Sequence, residues 1–177
     1  MPHRHATTRM SLPFDTISGT FFRIAFARDT ATLLDGAKSA EGRFHRAGQR
    51  ALYVSSREDW AGKAIEVYIN ENDPQRIVAP LYVDAARIVD LRNVRHCAAW
   101  GLEPTDAAIP WRPQREMGVP ATSWTVSDRI RNGGADGMIY TARTAPSRWH
   151  LVLFAWNSAE RPRVTLAGAP RGYRLPG

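Results

Sequence analysis

Gly19-Thr20-Phe21-Phe22-Arg23-Ile24-Ala25-Phe26 decides how the fold is read. Threonine and aromatics in close order favour a pleated strand over a helix. A second apolar run of strand length, Arg50-Ala51-Leu52-Tyr53-Val54-Ser55, follows. Between them, Asp35 to Gly48 carries Gly36, Gly42 and Gly48 among polar residues. This is a loop, and glycine there lets backbone approach a ligand closely. A helix signal comes only after the second strand. Ser55-Ser56 offers an N-cap, and Glu58 and Asp59 place negative charge in the first turn. The helix is expected from about Arg57 to Asn70, with Trp60, Ala64 and Val67 on one face and Glu66 beside it. Asp73-Pro74 ends it.

Downstream, Arg76 to Val83 and Ala86 to Asp90 read as one or two strands. Arg92 to Val119 is rich in Trp, Pro and charge, and is expected to be irregular with a short helix. Ser123 to Asn132 reads as a helix, and Gly133 to Gly137 as a turn. Met138 to Thr141, Arg148 to Trp156 and Arg163 to Leu166 read as strands. Strands without regular βαβ alternation predict an α+β domain with small mixed or antiparallel sheets and a few helices. The glycine-bearing loop contains neither G-x-G-x-x-G nor G-x-x-x-x-G-K-[ST], which excludes those two nucleotide cradles.

The 177 residues suit a single domain over 14–177, preceded by a flexible tail over 1–13. At 44% hydrophobic residues, disorder is excluded over most of the length. The net charge of +7 comes from 24 basic and 17 acidic residues, and Lys38 and Lys63 are the only lysines. Arginine suits bidentate recognition of phosphate or carboxylate, and a GC-rich genome produces the same bias. The basic residues are scattered among acids, with no Lys/Arg block and no zinc-finger spacing. With six Trp, they leave open a non-catalytic module for single-stranded RNA. Cys97 is the only cysteine, so no internal disulfide forms. It reads as a small buried side chain, and His96 beside it makes no catalytic pair. Met1 to Arg9 is no secretory signal, and no run approaches the ~18 apolar residues of a membrane span. A cytoplasmic protein is expected.

Four elements recur in a recognisable order: Phe22-Arg23-Ile24; Gly42-Arg43-Phe44 followed by Gly48; Leu52-Tyr53-Val54; and Ala64-Ile65-Glu66-Val67. Together they resemble the RES domain, with its "x-R-x" first strand, "G-R-W-N-P-x-G" loop, aliphatic–Tyr strand and Glu-bearing helix. Ala135-Asp136-Gly137-Met138-Ile139-Tyr140 and the apolar run from His150 to Trp156 resemble that domain's C-terminal half. There are departures. Phe44-His45-Arg46 stands for Trp-Asn-Pro, and the Tyr53 to Glu66 interval is slightly long. Counted without gaps, the family's serine position is Ala142, with Thr141 and Ser147 as the nearby hydroxyls.

The resemblance implies an ADP-ribosyltransferase-like fold and cleavage of the nicotinamide–ribose bond of NAD, as substrate and without a metal. Glu66 would stabilise the oxocarbenium character of the ribose. Tyr53 would stack on nicotinamide. Arg23 and Arg43 would grip the pyrophosphate or a ribose hydroxyl. The acceptor of ADP-ribose stays open between a protein, phosphate and water. The expected partner is an Xre-like helix-turn-helix antitoxin. Alone, Glu66 reads as a solvated helix residue, Tyr53 as a core aromatic, Arg43 as a surface loop charge and Arg23 as an outward-pointing strand residue. The resemblance requires the four to converge on one pocket.

Overall fold

The first and second strands form as the sequence suggests, and a curled sheet is built around them. The computed structural model of the chain describes residues 11–175. In chain order the elements are β1 (Asp15–Phe26), β2 (Leu52–Ser55), α1 (Glu58–Ile65), β3 (Arg76–Asp90), α2 (Val94–Trp100), α3 (Pro104–Ala108), α4 (Trp111–Glu116) and α5 (Thr122–Asn132). Strands β4 (Gly137–Ala142), β5 (Ala145–Leu153), β6 (Arg163–Leu166) and β7 (Arg171–Tyr173) complete them. Two 3-10 turns, Ala27–Thr32 and Glu66–Tyr68, follow β1 and α1.

The strands run β1-β2-β5-β4-β3-β6, with β7 on β3. Because β1 also pairs β3, the sheet curls back on itself. The ring is joined at β1–β2 by a single pair, Phe22↔Ser55. Its one parallel contact is β3 on β4; the other pairings are antiparallel. The α+β expectation with a mixed sheet is borne out.

Strand periodicity sorts the side chains into two cores. Leu52, Val54, Ile139, Leu151 and Leu153 face the first, with Phe21, Leu81, Ile88 and Trp156. Their neighbours Ala51, Met138, Val152 and Phe154 face the second, against Cys97, Trp100, Val126 and Ile130 of the helices. A strand buried on both faces reads as a continuous apolar run, which explains Leu151 to Phe154. Cys97 is buried, as expected.

Of the one or two strands read from Arg76 to Asp90, the structure forms one. It passes a kink at Ala85 (φ 55°) opposite a register shift in β1 between Ile17 and Gly19. Ser18 Oγ accepts from the Ala85 N–H at 2.8 Å there. Two expectations need correction. The stretch from Arg92 to Val119 is not irregular but holds three short helices. The Asn93 side chain caps α2, Gly101 (φ 61°) ends it, and Pro104 starts α3, which are ordinary start and stop signals. The first helix ends at Ile65, short of Asn70, and buries Ala61 and Gly62, while Ala64 and Val67 are exposed. Gly62 packs on Tyr173: a Cβ there would meet the ring's Cζ at 3.1 Å. Of the proposed tail, residues 1–10 lie outside the described residues; the Pro13 carbonyl accepts from Trp100 Nε1 at 2.6 Å.

Candidate active site

One sheet face changes character along its length. Under the helices it is apolar, with Met138, Val152 and Phe154. Tyr53 stands level with Met138 and Val152, and Ser55, Tyr140 and His150 form the next row: Tyr53 and Met138 both pair Val152, and Ser55 and Tyr140 both pair His150. Arg148 precedes His150 in β5, where the register with β4 shifts between Trp149 and Ala145, and it lies near enough for its charge to act on the imidazole.

The loop carrying Arg43 is held across this face by α5. Trp124 Nε1 donates to the Gly42 carbonyl at 2.8 Å. Ser123 Oγ donates to the Arg43 carbonyl. Arg131 donates through Nη1 and Nη2 to the Phe44 carbonyl at 3.2 and 3.1 Å. Arg46 pairs with Asp128. A loop drawn into the interior must satisfy its backbone groups, and α5 supplies three donors in a row.

Arg43 is directed by α3. Its Nε and Nη2 both donate to the Ala107 carbonyl, at 2.9 and 2.6 Å. Nη1 makes no hydrogen bond among the described residues. The guanidinium lies over the rings of Phe44 and Tyr140, at 4.9 and 5.0 Å from their centres. Burial pulls the Arg43 pKa down, opposed first by Tyr140, then Tyr53 and Tyr68. An arginine remains charged under such a shift.

Tyr53 sits in a hydrogen-bonded chain. Its Oη accepts from the Phe44 N–H at 3.0 Å and lies 2.8 Å from His45 Nδ1. His45 Nε2 lies 3.0 Å from the Ser39 carbonyl, which only accepts. Nε2 therefore carries the proton, and Tyr53 O–H donates to Nδ1. Burial depresses the His45 pKa and raises that of Tyr53, so both stay neutral. Gly42 makes room for this: a Cβ would come within 2.7 Å of His45 Nδ1.

Beyond Tyr53, Ser55 Oγ and His150 Nδ1 lie 2.7 Å apart. The His150 ring is tilted against Tyr140 at 5.4 Å between centres. Burial, then the charges of Arg148 and Arg43, pushes its pKa down to about 4. Tyr68 approaches from the turn after α1, with the Arg112 guanidinium 4.1 Å from its ring centre.

The structure brings Arg43 and Tyr53 together and leaves Arg23 and Glu66 outside that cluster. Phe22 pairs with Ser55 and shares its face; Arg23, the next residue, points to the other side. There its Nη1 and Nη2 donate to the Leu33 and Gly36 carbonyls at 2.5 and 2.7 Å. Burial lowers its pKa to about 10, with Asp29 and Asp35 opposing. Arg23 points neither outward nor at the Arg43 cluster, but fixes the start of the loop. Glu66 opens the 3-10 turn, where its carboxylate pairs with Lys63 at 3.0 Å and its side chain is 50% exposed. It lines a groove of about 760 Å3 with Glu58, Gly62 and Tyr173. Tyr68, two residues further on, is the residue of this turn that comes near Arg43, Tyr53 and Tyr140.

Sequence reading missed Ser55, Tyr68, Arg148 and His150 as neighbours of Arg43 and Tyr53. Cross-strand register unites Ser55 and His150, and register leaves no local signal. Of the hydroxyls near Ala142, Thr141 pairs with Trp149 on the opposite face and Ser147 is exposed; the hydroxyl on the cleft face is that of Ser55. Many arginines stack on the chain's own rings, such as Arg50 on Trp156 and Arg131 on Phe154, both at 3.9 Å. Among the described residues no group of three or more His, Cys, Asp or Glu is placed to hold a metal ion. Nor is any helix there long and apolar enough to cross a membrane.

No curated protein sequence matches the chain. Its fold is similar to that of a chain in the crystal structure of the M. tuberculosis MbcT–MbcA toxin–antitoxin complex. The TM-score is 0.63 at 15% identity, over 90% of this chain and 86% of that one. The family model of the RES domain matches residues 20–174. With the match covering nearly its whole length, the chain belongs to the RES domain family.

Proposed function

We propose that this chain is the toxin of a toxin–antitoxin pair and that it consumes NAD. The observation that carries the reading is Arg43, a buried guanidinium clamped by Ala107 and enclosed by tyrosines. Such a group suits a polyanionic ligand with a flat ring. Family membership and the likeness to a chain of the MbcT–MbcA complex support the toxin role. Nicotinamide leaves with the electron pair of its bond to the ribose. Water, phosphate or a protein side chain then adds to the anomeric carbon and gives up its proton. Arg43 and Tyr53 hold and orient the dinucleotide; Arg23 holds the loop that carries Arg43.

Glu66 supplies the negative charge for the oxocarbenium ion only after leaving Lys63. Parting an exposed pair of this kind costs roughly 0–1 kcal/mol, so substrate binding can draw the turn inward. The partner is an Xre-like helix-turn-helix antitoxin, which covers the cleft of an enzyme harmful to its own cell. A module for RNA fits less well, because so many of the arginines are spent on the chain's own rings and carbonyls.

The test is nicotinamide release from NAD by the purified chain, with and without phosphate and cell extract. Arg43→Ala and Glu66→Gln should each lose roughly a hundredfold or more, the scale of removing a charge-stabilising group. No release under any of these conditions contradicts the reading. Full activity in Glu66→Gln removes Glu66 from it.

A further inference from the structure

Arg148 differs from the other half-buried arginines. Arg23, Arg43 and Arg131 donate to carbonyls, and Arg46, Arg76 and Arg87 pair with carboxylates, although Nε of Arg46 and of Arg76 is buried without a partner. Arg148 has no hydrogen bond, no ion pair and no ring under its guanidinium among the described residues, and its Nε is buried without a partner. With no acceptor for any of its nitrogens among the described residues, the guanidinium has its Nη groups free to take an anion.

Its neighbours complete the set. His150 is held through Nδ1 by Ser55 Oγ at 2.7 Å, and its Nε2 has no partner among the described residues. When Ser55 O–H donates to Nδ1, Nε2 carries a proton and donates to whatever lies in front of it. Arg43 offers its unused Nη1. Two guanidinium groups thus lie near one imidazole N–H, and no carboxylate bonds to any of them among the described residues.

We propose that Arg148, with His150 and Arg43, forms a subsite for the pyrophosphate of a dinucleotide, at the β4–β5 hairpin end of the cleft. The identity of the dinucleotide rests on the NAD reading; the anion subsite does not. Ser55 is a positioning residue here, acting through the imidazole.

Isothermal titration of the full chain with ADP-ribose and with inorganic pyrophosphate tests it. Arg148→Gln should weaken both at least tenfold, Arg148→Lys should recover part of the loss, and wild-type affinity for pyrophosphate should fall with added salt. With NAD as substrate, Arg148→Gln should raise KM and leave kcat little changed. Unchanged affinity for both ligands in Arg148→Gln overturns the subsite, as does wild-type protein that binds neither. Should Arg148→Gln not fold, Arg148→Lys and the salt series decide: an affinity indifferent to both overturns it. Arg148-dependent binding of ADP-ribose without nicotinamide release upholds the subsite and contradicts NAD cleavage. Nicotinamide release at wild-type KM in Arg148→Gln does the reverse.

Discussion

Around Arg43 the backbone is stitched down: Trp124, Ser123 and Arg131 each hold one carbonyl of the loop, and Ala107 holds the guanidinium. Around Glu66 the contacts are between exposed charges, Lys63 with Glu66, Arg57 with Asp59 and Arg171 with Glu58. Both regions carry a family motif, yet only one is fixed by burial. In the proposed site the half that would grip an anionic ligand is held by buried hydrogen bonds, and the carboxylate stands outside it in an exposed pair that parts at little cost.

The largest effect that separates the two regions is a pH dependence of stability. His150, on the buried side, has its pKa pushed from 6.5 down to about 4. Above about pH 6.5 it is neutral in both folded and unfolded chains, so its site contributes fully. As pH falls, the unfolded chain takes the proton first, and stability is lost until about pH 4. A shift of this size is worth roughly 3 kcal/mol, and His45 acts in the same direction. Urea unfolding from pH 7 to 4 should show the loss, and His150→Gln should flatten it. An equal slope in wild type and variant would mean that His150 is not held neutral by burial.

Next in size is Gly42→Ala. The added methyl meets His45, which is only 2% exposed and bonded at both ring nitrogens. Overpacking of this kind costs about 1–3 kcal/mol, read as a lower urea midpoint. The smallest effect belongs to the other region. Lys63→Ala should change stability by less than about 1 kcal/mol and keep NAD turnover at or above wild type, since it frees Glu66. A collapse of activity in Lys63→Ala would show that the pair is part of the working site.

Strand periodicity and turn residues made the sheet legible: β1, β2, β4, β5 and β6 stand near where the sequence put them. The kinked β3 was harder, because a non-glycine residue at φ 55° looks from sequence like a break. The site was half legible. Arg43 and Tyr53 come from a loop and the strand after it, where local order carries the geometry. Arg23 also had the right order, but one step along a strand reverses the face. The place of Glu66 depends on where α1 stops and on how α1 lies against β1, β2, β5 and Tyr173, which come from separate parts of the chain. Ser55 and His150 became visible only through register, and Arg148 only through its unpartnered guanidinium.

The central claim is that the Arg43 face, and not the groove beside Glu66, receives the ligand. Hydrogen exchange of the chain with and without saturating ADP-ribose tests it most directly. New protection is expected at residues 42–46 and 148–151, with Glu58 to Ile65 and Arg171 to Tyr173 unchanged. Protection confined to α1 and β7, with 42–46 exchanging as before, would contradict it.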